Sequence, residues 1–386
     1  MVTHTNFADI VVLGGGLNGA ALVAALRHTA YSVVLVEPRP PIAPGDNWDN
    51  RIYAFSPGNV EWLKSLGAWN APVRAQAVHQ MRIHGDTDGR LTFDALDAGL
   101  PELAWIAENN RLQWSLWQSW ADSPNVLTLE GETESVSWGK TGEAHQLHLT
   151  DGTTLSAGLL VAADGAHSWL RQQAGIELDV EDYKHIGVVA NFETQRPHRG
   201  VACQWFRPDG VLAYLPLTGN RISIVWSTPP EHAADLQSLS LAALADKVAE
   251  AGEHTLGALS AITPAAGFPL IRRRAHEWVR PGLVLLGDTA HTVHPLAGQG
   301  VNLGFRDSRL LAQMLSSGGN PGEFSRLQSY AARRREDVVS MQFTTGGLKK
   351  LFARPDGLTQ ALRNTGMNLT QRFEPLNQAL TRHAIL

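Results

Sequence analysis

The chain has 386 residues, 44% hydrophobic and 18% charged, enough for two packed regions of a globular protein. Its formal net charge of −5 argues against nucleic acid as a main partner. A single cysteine, Cys203, excludes an internal disulfide, and no Cys/His cluster has zinc spacing.

Ile10 to Leu13 is an apolar run. It leads into Gly14-x-Gly16-x-x-Gly19 and a helical pattern through Leu22, Val23 and Leu26. A second run, Val33 to Val36, ends at Glu37. In such a strand–turn–helix–strand unit the first glycine makes the turn and the second admits a pyrophosphate. The third allows close helix–strand packing, and the acid suits a ribose hydroxyl. Gly14, Gly16, Asn18, Gly19 and Glu37 are therefore candidate dinucleotide contacts. The pattern alone does not separate NAD from FAD. No second fingerprint follows, so NAD(P)H must dock without a Rossmann domain of its own.

Arg51 precedes a helix carrying Val60, Leu63 and Leu66 on one face. Met81 to Phe93 alternates around turns at Gly85-Asp86 and Asp88-Gly89, as strands of a second sheet do. Trp114, Trp117 and Trp120 share one face of a predicted helix and read as a core stripe. Val126 to Leu129, Val136 and Gln146 to Leu149 read as a returning meander. In LLVAADGAHSWLRQQAG, residues 159–175, a buried strand meets Asp164-Gly165 and a helix. Alone, Asp164 could be a helix cap.

Residues 181–270 alternate as antiparallel strands, with turns at Pro208-Asp209-Gly210 and Thr218-Gly219-Asn220. Trp205, Tyr214 and Trp226 fit either ordinary sheet core or a pocket for an aromatic ring. Leu283 to Leu286 is another buried strand, ended by Gly287-Asp288. A loop with His294, Pro295, Gly298 and Gln299 follows, then a helix opened by Gly300, Val301 and Asn302. Amides at a helix start carry partial positive charge. They suit a group that becomes anionic on reduction, such as the N1–C2=O edge of a flavin. From Pro321 to Leu386 ten Lys/Arg face five Asp/Glu, and Leu358, Leu362, Leu369, Phe373, Leu376 and Leu380 recur at helical intervals. Such a basic amphipathic tail suits a membrane surface or packing on the preceding domain.

The run GDTAHTVHPLAGQGVNLGFRD closely resembles the second FAD motif of the class A flavoprotein aromatic hydroxylases, and among them the ubiquinone-biosynthesis hydroxylases. Asp49-x-Arg51-x-x-Ala54-x-Ser56 and Asp164-Gly165-x-x-Ser168-x-x-Arg171 resemble two further stretches of that family. Asn110-Arg111 keeps half of another, with Gln113 where the family has Leu. Thr289 departs from the usual Ala.

The resemblance implies that Asp288 binds the ribityl chain of FAD and that the backbone from Leu296 to Asn302 wraps the isoalloxazine. It also implies FAD contacts for Arg51, Arg111 and Asp164, the last near the nicotinamide route. The implied fold is α/β. A doubly wound Rossmann-like FAD domain (1–75, 100–180 and 271–345) carries an inserted antiparallel-sheet substrate domain (76–99 and 181–270) and a C-terminal helical tail (346–386).

The implied activity is an FAD-dependent aromatic-ring hydroxylase acting through a flavin hydroperoxide. Its reductant is NAD(P)H or another electron donor, and its substrate a polyprenylated phenol or quinol of ubiquinone biosynthesis. Arg51, His294 and Pro295 are candidates for a catalytic role, His294 being also readable as structural. Alternatives are a hydroxylase of a small soluble phenol, a prenyl reductase, or a non-catalytic subunit of a quinone-biosynthesis complex. MVTHTNFAD does not read as a signal peptide. No run reaches the roughly 18 apolar residues of a membrane span. The expected location is cytoplasmic, with peripheral contact at the inner face of the membrane.

Overall fold

The computed structural model describes residues 5–70, 73–140, 142–293 and 300–353, with residues 5, 6 and 340–353 as backbone. The apolar runs at Val11, Val34, Leu160 and Val284 assemble into one eight-stranded sheet. Thr5–Leu13 lies between Val33–Val36 and Thr154–Ala162, and Leu283–Leu285 adds beyond the latter, all parallel. Parallel strands are buried on both faces, which is why these runs are continuously apolar rather than alternating. Val126–Leu129 extends the far side in parallel, and Thr133–Ser137 and His145–Leu149 return antiparallel. The predicted meander therefore belongs to this sheet. The helix Leu17–Leu26 is almost wholly buried, because it lies between the sheet and the helix Gly300–Leu315.

A nine-stranded sheet forms the second layer. Its central strand, Leu178–Thr194, pairs with Arg221–Thr228 on one side and Ala266–Ala275 on the other. Gly210–Leu217 and Val201–Arg207 continue the order. All these pairings are antiparallel, but Gln80–His84 joins Val201–Arg207 in parallel. That strand comes from a distant part of the chain rather than through a hairpin with Val201–Arg207. The strand Ala266–Ala275 is continuous across the expected domain boundary at 270/271, and Leu178–Val180 pairs with it. Both segments thus continue the second sheet past the boundaries drawn from composition.

Alternation along these strands separates two faces. Trp205, Tyr214 and Trp226 are at most 2% exposed and pack with Ala233, Leu236, Leu244 and Val248 of two covering helices. These aromatics are core, on the face turned away from the first domain. Cys203 lies among them, and burial pushes its thiol up to about 11.

A small three-stranded sheet joins the two layers: Ile52–Phe55, Ala104–Glu108 and Gln76–Val78. Its alternating residues serve both sides. Ile52, Val78 and Ile106 cluster with Ala202 and Leu217 of the large sheet, whereas Phe55 and Ala107 belong to the core of the first domain.

Candidate active site

Three parallel strands end in register, with Leu13 beside Ala162 and Ala162 beside Leu285. Their carboxyl ends bring Gly14, Asp164 and Asp288 to one edge of the sheet, where open α/β sheets bind ligands. Gly14 has φ +100°, and a Cβ there would meet Ala163 O at 2.4 Å. At Gly19 a Cβ would lie 2.0 Å from Gly14 O. A Cβ on Gly16 would meet nothing within 4 Å, so this glycine faces open space. The turn is closed behind and open in front, as a cradle for a pyrophosphate must be.

Asn18 joins this turn to the second motif. A Cβ at Gly287 or at Gly304 would each stand 2.2 Å from Asn18 Nδ2. Ser308 Oγ donates to Asn18 O at 2.9 Å. Asn18 Oδ1 is buried and without a partner among the described residues, as is Asp164 Oδ1. Asp164 Oδ2 accepts from Leu170 N at 3.2 Å, but the helix cap is Ser168, whose Oγ accepts from Arg171 N at 3.0 Å. One oxygen of Asp164 is left over for another partner.

Asp288 has an exposed side chain, yet surrounding protein raises its pKa by burial, with Asp307 adding and His291 and Arg273 opposing. Tyr53 is near it: burial and the charge of Asp288 push its hydroxyl up to about 12, while Arg51 pulls the other way. Arg51 is exposed, and its guanidinium has no ion pair or hydrogen bond among the described residues.

Beneath Asp288 lies a buried polar network. Asp307 is fully buried and accepts from Gly287 N at 3.0 Å and from Arg334 Nε at 2.6 Å. His291 Nε2 is 2.7 Å from Oδ2, the oxygen that also accepts from Gly287 N. Burial alone would raise the pKa of Asp307, but His291 and Arg334 outweigh that and hold it below its ordinary value. Thus Asp307 ties the turn that presents Asp288 to the helix Gly300–Leu315 and to the helix beginning at Phe324.

A family described as "FAD binding domain" matches residues 8–343. Over 98% of both chains, the sequence is 34% identical to 3-demethoxyubiquinol 3-hydroxylase of Escherichia coli. It is 32% identical to mitochondrial ubiquinone biosynthesis monooxygenase COQ6 of Mus musculus, covering 97% of this chain and 90% of that one. The chain belongs to the FAD-dependent hydroxylases of ubiquinone biosynthesis. Its fold is that of p-nitrophenol 4-monooxygenase from Pseudomonas putida, with a TM-score of 0.81, 17% identity and 99% of both chains covered.

FAD is the cofactor of these hydroxylases, and the edge described above fits it: an open glycine turn, two unsatisfied buried oxygens and an exposed carboxylate beside them. Among the expected contacts, Gly14, Gly16, Asn18, Gly19, Asp164 and Asp288 come together here. Glu37 meets the same turn, its Oε2 accepting from Gly15 N at 2.7 Å.

The Arg111 guanidinium ion-pairs with Glu108 at 3.1 Å and donates to Gly45 O. It thereby braces the loop before Arg51. The Asn302 side chain is also committed, bonding Ser56 N, Asn59 Nδ2 and Ala54 O. Its backbone, with Gly300 and Val301, opens the helix. His294, Pro295, Gly298 and Gln299 lie outside the described residues.

Sequence reasoning missed several residues. Gln113 Nε2 and Trp117 Nε1 both donate to Gly15 O, at 2.8 and 2.9 Å. Glu108, fully buried, accepts from Arg74 twice at 2.7 Å and from Asp49 N at 3.0 Å. The departure to Gln at position 113 was the visible signal for the first. Only the fold reveals the second.

Proposed function

We propose that this protein hydroxylates the aromatic ring of a polyprenylated phenol or quinol in ubiquinone biosynthesis. What carries the reading is the 34% identity to a demethoxyubiquinol hydroxylase along 98% of both chains. Bound FAD supplies oxygen activation; the protein binds, orients and shields.

In this reading the pyrophosphate lies over Gly14 and Gly16, and Glu37 holds the adenosine ribose. Asp288 holds the ribityl chain, and Asp164 uses its free oxygen at the cofactor. The amides at Gly300, Val301 and Asn302 face the flavin edge that gains negative charge on reduction. Arg51 and Tyr53 border the reacting end of the cleft. A reduced nicotinamide or another donor supplies electrons from the surface.

The basic tail brings the enzyme to anionic lipid, where a prenylated substrate partitions and a quinone-biosynthesis complex would assemble. Residues 354–386 lie outside the described residues, and no helix among the described residues is long and apolar enough to cross a membrane.

The test is turnover of a monoprenylated phenol with labelled O₂. Oxidation of the donor should depend on the phenol, and the product should gain one labelled oxygen atom. Turnover of unprenylated phenols alone would reassign the substrate, and no oxygen incorporation with any phenol would remove the hydroxylase reading.

A further inference from the structure

The strand Val201–Arg207 sends its side chains alternately to the two faces of the large sheet. Cys203 and Trp205 face the covering helices. Ala202 packs with Ile52 and Ile106 of the small sheet, so its face is the one turned toward the FAD domain. Gln204 shares that face.

Strand pairing places Gln204 in one row with Ala213, Val225 and Val189. Ala213 and Val225 are half-buried, and so is Val211 in the next row. Together they make an apolar platform that is not fully covered. Gln204 is only 6% exposed, and its amide makes no hydrogen bond among the described residues. Ser223 Oγ, on the same face, also lacks a partner, but Ser223 is 0% exposed and sealed from any ligand. Gln204 alone of the two keeps an opening.

The Gln204 amide reaches solvent through that opening, and a ligand that displaces the water there must reproduce its hydrogen bonds. A carboxamide donates through Nε2 and accepts through Oε1, which matches a phenol or quinol oxygen on a flat ring. Sites that hydrogen-bond a substrate oxygen discriminate strongly against analogues lacking it.

We infer that Gln204 binds a ring oxygen of the substrate and so sets which ring carbon is presented to the flavin. The inference rests on the aromatic-substrate reading above and adds the residue that orients the ring.

The test uses FAD-loaded protein and its Gln204→Met variant, with Gln204→Leu as a second apolar replacement. Three probes are titrated by flavin fluorescence: monoprenylated methylhydroquinone, methylhydroquinone, and a prenylated toluene without ring oxygens. Both variants should keep FAD. They should bind the hydroquinones about tenfold more weakly, as loss of one hydrogen bond does, and the toluene unchanged. A smaller share of donor oxidation should end in product, and the product should be a mixture of ring positions.

Equal losses for all three probes would show a structural role, and no loss for the hydroquinones would show no contact; either overturns the inference. If only the unprenylated hydroquinone binds and its binding depends on Gln204, the prenyl reading falls and the inference stands. If neither hydroquinone perturbs the wild-type flavin, both fall.

Discussion

Asp288 has an exposed carboxylate at the carboxyl end of the parallel sheet, and its surroundings raise its pKa. A ribityl hydroxyl donating to it would replace lost water. Asp288→Ala should therefore weaken FAD binding about ten- to a hundredfold, the worth of a hydrogen bond to a charged group. Titration of the folded apo-variant checks this, and wild-type affinity would remove Asp288 from the site. Glu37 is a different case, since it already holds Gly15 N. Glu37→Ala should loosen the turn and lower FAD occupancy, with turnover at saturating FAD less affected. Glu37→Arg should be worse, because it sets a cationic donor against the Gly15 N–H in place of the acceptor. Equal FAD content in all three proteins would contradict this assignment.

Between elements, contact is set by glycines that leave room for Asn18. Gly304 lies inside a helix, where alanine usually stabilises by about 0.5–1 kcal/mol. Here the added Cβ would stand 2.2 Å from Asn18 Nδ2 and 2.5 Å from its Cγ. Gly304→Ala should instead destabilise by about 1–3 kcal/mol, as overpacking does. Adding Asn18→Ala should recover part of the loss, and denaturant unfolding of the two single variants and the double variant measures that coupling.

The Asp307 network links more elements still. Its folded pKa is depressed, so its stabilisation is present above the unfolded carboxylate pKa and is lost as pH falls through the folded value. Stability should therefore decline below about pH 4, and Asp307→Asn should flatten that part of the profile. Because Arg334 would keep only Asp337 as a charge partner, the substitution should also cost about 1.5–3 kcal/mol near neutrality.

At the scale of the whole molecule, a small sheet connects two large ones, and the tail from residue 354 lies outside the described residues. If that tail delivers the enzyme to lipid, cutting before Leu358 should reduce sedimentation with anionic vesicles and turnover of a long-chain substrate. A short-chain analogue should still be hydroxylated. Each Lys or Arg at the surface contributes about 1 kcal/mol, so binding of the full chain should weaken with salt. A truncated protein that keeps its FAD and handles both substrates equally would remove the membrane role. One that unfolds would make the tail part of the core.

Much of this protein is local and was therefore legible in its sequence. Continuous apolar runs mark strands buried on both faces, and glycines at Gly14, Gly16 and Gly19 mark a turn that ordinary side chains would obstruct. Asp164 and Asp288 could be placed at strand ends because each comes shortly after an apolar run. The direction in which strand residues point was only half readable. Alternation sorts Cys203, Trp205 and Gln204 into two sets, but it does not say which set meets the helices. Nor could local pattern show that Arg111 reaches Gly45, that Asn302 ties a helix to Ala54, or that Asp307 supports the turn before Asp288. Those pairings join residues from 20 to 248 positions apart. They depend on which surfaces meet when the sheets pack, and that is decided by tertiary structure.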